Sequence, residues 1–183
     1  MLSVSTTLSA ADFTPMAGVT DSATQSKQAF AHRLFAPRVA VLDPAATSDT
    51  PLDLLLATGM RSVDHAVEAF CSTTANRATD FNAVQGLRLL PRALAAIRRD
   101  PSDVAARLDA QLGMWQSILA LIGGAGSGAS HGIGYALGAT FGVAHGHTSC
   151  VLLPAVLRWN ESANGALQRQ MAAEMGAADR SAA

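Results

Sequence analysis

The chain has 183 residues, 49% hydrophobic and 15% charged, with a formal net charge of −1, a length for one domain or one and a fraction with a sizeable core. Charge so balanced leaves no clustered basic face of the kind phosphate backbones require, which sets nucleic acid aside as a partner. Cys71 and Cys150 stand apart without CxxC spacing, no apolar run reaches the roughly 18 residues of a bilayer span, and the first residues lack the basic start of an export signal; together these predict a cytoplasmic protein with no membrane partner.

Residues 1–44 alternate short β-compatible runs with turn residues and predict two or three strands: LSVSTTL, then MAGVT, then RVAVLD after a polar stretch over 21–32. The last ends at Asp43-Pro44, where proline withdraws a ladder donor and aspartate favours a turn. From residue 47 the texture becomes alanine-rich and helical. Thr50 as N-cap with Pro51 at the first helical position predicts a short helix ending at Gly59, followed by a second over 60–71. A third is expected over 79–99, with Phe81, Val84, Leu87 and Leu90 at helical spacing and Pro91 kinking or splitting it. Ser102 caps a fourth, whose stripe of Val104, Leu108, Leu112, Trp115, Leu119 and Ile122 reads as core.

The run Gly-Gly-Ala-Gly-Ser-Gly over 123–128 invites comparison with a phosphate loop. It follows a helix instead of a strand, lacks the GxGxxG spacing and is not closed by GK[ST], so it reads as a helix break with close packing. Helices over 131–140, 149–159 and 164–175 follow, with a turn over 144–146 between the first two.

Chemistry gathers on three histidines. His65 sits four residues after Arg61 and three before Glu68, which puts the three side chains on one helical face, while Asp64 points about 100° away from His65. His131 and His145 each precede a glycine that lets backbone or ligand approach closely. Imidazole is the commonest metal ligand and a proton carrier near neutral pH. The plainer reading of Arg61, Asp64 and Glu68 is an i,i+3 charge pair with a helix-capping carboxylate. His32 and His147 read as solvated loop residues.

These motifs occur in order: Ser5-Thr6-Thr7, Leu42-Asp43-Pro44, Gly59-Met60, Asp64-His65-Ala66-Val67-Glu68, His131-Gly132 with Leu137-Gly138-Ala139, His145-Gly146, Leu152-Leu153-Pro154 and Asn160. As a set they resemble the iron-containing alcohol dehydrogenase family, in its maleylacetate reductase-like branch. The HGxxxxLG and AHGH patterns match it better than the related dehydroquinate synthases. The resemblance implies a mostly α fold: the helical C-terminal domain of a dehydroquinate synthase-like/iron-containing alcohol dehydrogenase, preceded by a few strands from the end of an α/β cofactor domain. Residues 1–46 would be those terminal strands and 47–183 the helical catalytic domain, in a fragment lacking the glycine-rich pyrophosphate segment and the last helices.

It further implies an oxidoreductase that transfers hydride between NAD or NADP and a small-molecule alcohol, carbonyl or maleylacetate-like substrate, and a homodimer in the full-length parent. The family holds Fe2+ or Zn2+ on one aspartate and three histidines. The histidines correspond to His65, His131 and His145, but the aspartate position falls on Arg61, which has no lone pair to offer a metal. Arg61 is therefore expected to supply positive charge or to bind a substrate carboxylate beside His131. Tyr135 stands where many members carry a further histidine near the nicotinamide and is a candidate proton donor. Thr6, Thr7 and Lys27 correspond to cofactor-contacting positions, although Leu8 to Asp12 replaces a glycine-containing stretch. The alternative is a catalytically silent chain or interaction module without its cofactor clamp.

Overall fold

The computed structural model describes residues 1–21, 23 and 26–177, without the side chains of Thr20, Ser26, Lys27, Ala29 and His145. Strand β1 (Leu2–Val4) runs parallel to β4 (Val39–Val41), pairing Leu2 with Val39 and Val4 with Val41. Between them β2 (Met16–Asp21) and β3 (Ser26–Ala31) form an antiparallel pair, Met16 opposite Ala31. β3 falls in the stretch read from sequence only as polar. Its residues, SKQAFA, carry little intrinsic strand preference, and cross-strand pairing with β2 supplies what propensity does not.

Five helices make up the rest: α1 (Leu52–Phe70), α2 (Arg77–Arg99), α3 (Val104–Ala120), α4 (Ala129–Phe141) and α5 (His145–Glu174). α1 packs against α2, α3 and α5, while α4 rests on α5. Among the described residues no helix is long and apolar enough to cross a membrane.

Several boundaries differ from the sequence expectation, each for a packing reason. Gly59 does not end a helix; it lies inside α1, where an added Cβ would run into Leu94 of α2 and come within 3.1 Å of Leu8. The glycine admits a close crossing instead of a stop. α2 runs through Pro91, and its start is set by Asn76, whose side chain accepts from the Ala78 and Thr79 backbone while Thr79 reciprocates. α3 is capped by Asp103, which accepts from Ala106 N–H, and not by Ser102. The helices expected over 149–159 and 164–175 are one element, α5, with non-helical backbone only at Asn164, and it begins already at His145.

The largest correction concerns the face of α3. Val104, Trp115 and Ile122, expected in the core, are exposed, and Leu108 is 37% exposed. The buried face is instead Ala106, Ala110, Gly113, Met114, Ser117 and Ile118. α2 and α3 approach too closely for large side chains: a Cβ on Gly113 would lie 2.8 Å from Leu90 Cγ. Size therefore misleads where small residues carry the contact. Phe81 on α2 is likewise exposed.

The loop after β1 is stitched onto the helices. Leu8 N–H donates to Thr58 Oγ1 (3.1 Å), Ser62 Oγ donates to the Leu8 carbonyl (2.6 Å) and Thr50 Oγ1 to the Thr6 carbonyl (2.7 Å). Gln111 Nε2 donates to the Asp43 carbonyl (3.1 Å), and Arg107 Nη1 to both oxygens of Thr47 (2.7 Å each). Residues 5–8 are thereby fixed against α1 one turn before Arg61.

Candidate active site

From Arg61 to Phe70 every residue of α1 is buried, so this stretch is enclosed on all sides instead of presenting a solvated face. Burial makes this more than the i,i+3 charge pair of the plainer reading, although Glu68 does cap a helix end, that of α4. Arg61 is 6% exposed, Glu68 7% and Asp64 not at all. Buried charges of this kind persist only with partners, and the partners come from α4 and α5.

Arg61 Nη1 donates to Ser149 Oγ at 3.0 Å. α5 can come so near because Gly146 has no side chain: a Cβ there would meet the Ala57 backbone carbon at 2.9 Å. Asp64 Oδ2 accepts from Ser130 Oγ (2.7 Å). Its Oδ2 lies 3.6 Å from His131 Nδ1. Glu68 accepts three hydrogen bonds: from Gly128 N–H (2.7 Å), Ser130 N–H (2.6 Å) and the His131 ring nitrogen Nδ1 (2.7 Å).

The rings of His65 and His131 lie face to face at a tilt, centroids 4.9 Å apart and planes inclined by 34°. Two of the three expected imidazoles are thus together. His145 opens α5, but its side chain lies outside the described residues. Tyr135 is one turn beyond His131 on α4 and partly exposed. Thr6 and Thr7 follow β1 directly; Thr6 is exposed and Thr7 Oγ1 is 3.1 Å from Ser9 Oγ. Lys27 lies in β3 opposite Thr20, its side chain outside the described set. His32 and His147 are exposed.

Burial sets the electrostatics. Desolvation lowers the Arg61 pKa, opposed by the charges of Asp64 and Glu68. Desolvation pushes the Asp64 carboxyl up, against His131, Ser149 and Ser130, with Glu68 adding to the rise. Burial also pushes Glu68 up, but the hydrogen bond and charge of His131 and the two backbone N–H donors outweigh it, and its pKa ends below the ordinary value.

The glycine run over 123–128 has its place here. The backbone leaves α3 through a π turn (Leu121–Ala125), with Gly124 and Gly126 at positive φ, and delivers the α4 N-terminus onto Glu68. A carboxylate already occupies that helix end, so it offers no seat for a phosphate.

Sequence reasoning missed Ser130 and Ser149 and left the charge-pair and capping reading of Asp64 and Glu68 open beside a functional one. Ser130 stands directly before His131, and its hydroxyl reaches back to α1. The one available signal was an i, i+3, i+4, i+7 set of charges and histidine in a segment otherwise apolar on every side.

Residues 55–183 match the C-terminal domain of the Fe-containing alcohol dehydrogenase family. The chain belongs to that family. A dehydrogenase of Alternaria alternata is 38% identical over 174 residues, which cover 87% of this chain and 44% of that protein. A maleylacetate reductase of Burkholderia cepacia is 29% identical over 176 residues, 96% of this chain and 49% of that one. Among solved structures, a 1,3-propanediol oxidoreductase superimposes with a TM-score of 0.89 at 32% identity, covering 96% of this chain and 46% of that protein. The chain spans about half the length of the Fe-containing alcohol dehydrogenase relatives it matches, and its fold is that of the helical C-terminal domain of this family.

Proposed function

We propose that this chain carries the chemical floor of an NAD(P)-dependent oxidoreductase that reduces a small carbonyl or a maleylacetate-like unsaturated acid. With the cofactor bound, the dihydronicotinamide would supply hydride to the substrate carbon and become NAD(P)+, the electron pair displaced from the double bond would collect on oxygen, and a proton from this chain's residues would complete the product. The observation that carries the reading is the buried His65–His131 pair beside Arg61. Arg61 places fixed positive charge where the oxygen turns negative or where a substrate carboxylate docks. Tyr135, one turn beyond His131 on α4, is the proton donor, and the His131 ring nitrogen that faces the site accepts or relays the proton.

The metal set of one carboxylate and three imidazoles does not fit these residues. Arg61 stands in the carboxylate's place, fixed by Ser149, and would repel a divalent ion. Asp64 Oδ2 is held by Ser130 on the Nδ1 side of His131. Asp64, Glu68 and His131 do bring ligand-type atoms within 4.8 Å of one another, and the hydrogen bonds already described explain that closeness.

Thr6 and Thr7 suit the cofactor by position. They follow the carboxyl end of β1, a strand in a parallel pair, where α/β sheets bind their ligands, and the loop is tied to α1 near Arg61. With Lys27 they would hold part of the dinucleotide. The test is oxidation of NADH and NADPH by the protein at its natural length, against short 2-oxo and α,β-unsaturated dicarboxylates and simple aldehydes. Turnover of a carboxylate-bearing substrate that falls at least a hundredfold in Arg61→Ala supports the reading; no turnover of any of them favours the silent alternative.

A further inference from the structure

Glu68 belongs to none of the expected site residues, yet three donors converge on it from α4: Gly128 N–H, Ser130 N–H and His131 Nδ1. A carboxylate facing three donors is ionised and can only accept, so the proton at the Glu68–His131 contact belongs to Nδ1. With Nδ1 holding that proton, Nε2 is the ring nitrogen turned away from Glu68, and in the neutral form of the ring it is the lone pair. Nε2 is buried and finds no hydrogen-bond partner among the described residues.

Glycine geometry supports the same arrangement. Gly128 has extended backbone (φ −108°) that any residue can adopt, but a Cβ there would lie 2.9 Å from Glu68 Oε1. The position is small to admit the carboxylate and not to relieve the backbone. Gly124 and Gly126, at positive φ, turn the chain so that the N-terminus of α4 meets Glu68.

We propose that Glu68 is the positioning residue of His131: together with the glycine turn it locks the ring as the Nδ1–H tautomer and presents the Nε2 lone pair to the site. Carboxylate–imidazole pairs orient working histidines in this way. The role assigned to that lone pair rests on the oxidoreductase reading; the lock itself does not. The glycine run that resembles a nucleotide loop is on this account the scaffold of an imidazole.

The test is the two-bond 1H–15N correlation pattern of the His131 ring in the 183-residue chain at neutral pH, in the wild type, Glu68→Gln and Gly128→Ala, each checked for fold by circular dichroism. The wild type is expected as a single Nδ1–H tautomer. A glutamine offers one oxygen and one NH2 to three donors, so Glu68→Gln is expected to move His131 to a majority of the Nε2–H form. Gly128→Ala, which leaves the carboxylate but displaces it, is expected to give a mixture. An Nε2–H ring in the wild type, or an unchanged pattern in a folded Glu68→Gln, overturns the proposal, whereas a residue that only capped α4 would leave the tautomer unmoved. Should Glu68→Gln not fold, the wild-type ring and Gly128→Ala still decide. The measurement uses neither cofactor nor substrate, so absence of hydride transfer with a locked tautomer would refute the oxidoreductase reading alone.

Discussion

Asp64 shows how much a single side chain in this site depends on its neighbours. It is fully buried, close to Arg61 on the same helix, and hydrogen-bonded by Ser130. Replacing it with alanine strands the Arg61 guanidinium and the Ser130 hydroxyl at once, and breaking a buried ionic cluster from one side costs about 3–5 kcal/mol. Urea unfolding of Asp64→Ala should show that loss; a change under about 1 kcal/mol would mean the charges are solvated after all. Cys71 makes a second case. It lines a cavity of about 240 Å³ beside Glu68, and burial, with the Glu68 charge, pushes its thiol up to about 11. Its thiolate fraction at pH 8 is then on the order of 0.1% and rises tenfold per pH unit until about pH 11. Iodoacetamide at pH 8 should therefore label the exposed Cys150 well before Cys71. Equal labelling would contradict the enclosed setting of Cys71.

Among elements, α3 shows why the sequence misled and how the packing can be checked. Its large residues repeat at helical spacing, as a core stripe should, but α2 comes so near through Gly86 and Gly113 that the apolar buried face of α3 is made of small residues with Met114 and Ile118. Met114→Ala should cost about 2–5 kcal/mol, whereas Leu108→Ala, on the outer face, should cost no more than about 0.5 kcal/mol. The reverse order would restore the face expected from the pattern. Helix existence was legible throughout, because runs of alanine and leucine leave little choice, but the starts were not: α1 begins after Pro51 with no side-chain cap from Thr50, α2 is capped by Asn76, and α3 by Asp103 instead of Ser102. Nor were the joins. Gly59 and Pro91 are stop signals locally, and tertiary contact overrides both. At Gly146 the contact is with α1 backbone, so Gly146→Ala should displace α5 and weaken the Arg61–Ser149 hydrogen bond at a cost of about 1–3 kcal/mol.

For the whole molecule, the ordered motifs were enough to identify the family, since each marks a position that the fold must bring to one place. The strand-bearing start and the helical remainder meet where the Thr6–Thr7 loop is tied to Thr58 and Ser62, one turn from Arg61. What the sequence could not give was the inner wiring of that meeting place. The hydrogen-bond partners of Asp64 and Glu68 lie sixty or more residues away, at and within α4, and no local pattern encodes them. If the loop after β1 holds the dinucleotide, Thr6→Ala with Thr7→Ala should raise the KM for NAD(P)H several-fold at unchanged kcat, and steady-state kinetics would show the opposite split if the loop serves only the fold.

On the proposed reading a buried guanidinium, not a metal ion, supplies the positive charge beside the His65–His131 pair. Elemental analysis of the protein, purified without chelator, is the decisive measurement. Far less than one equivalent of iron or zinc per chain is predicted, with turnover indifferent to chelator. One equivalent of either metal, held by His65, His131 and His145 and needed for activity, would contradict it.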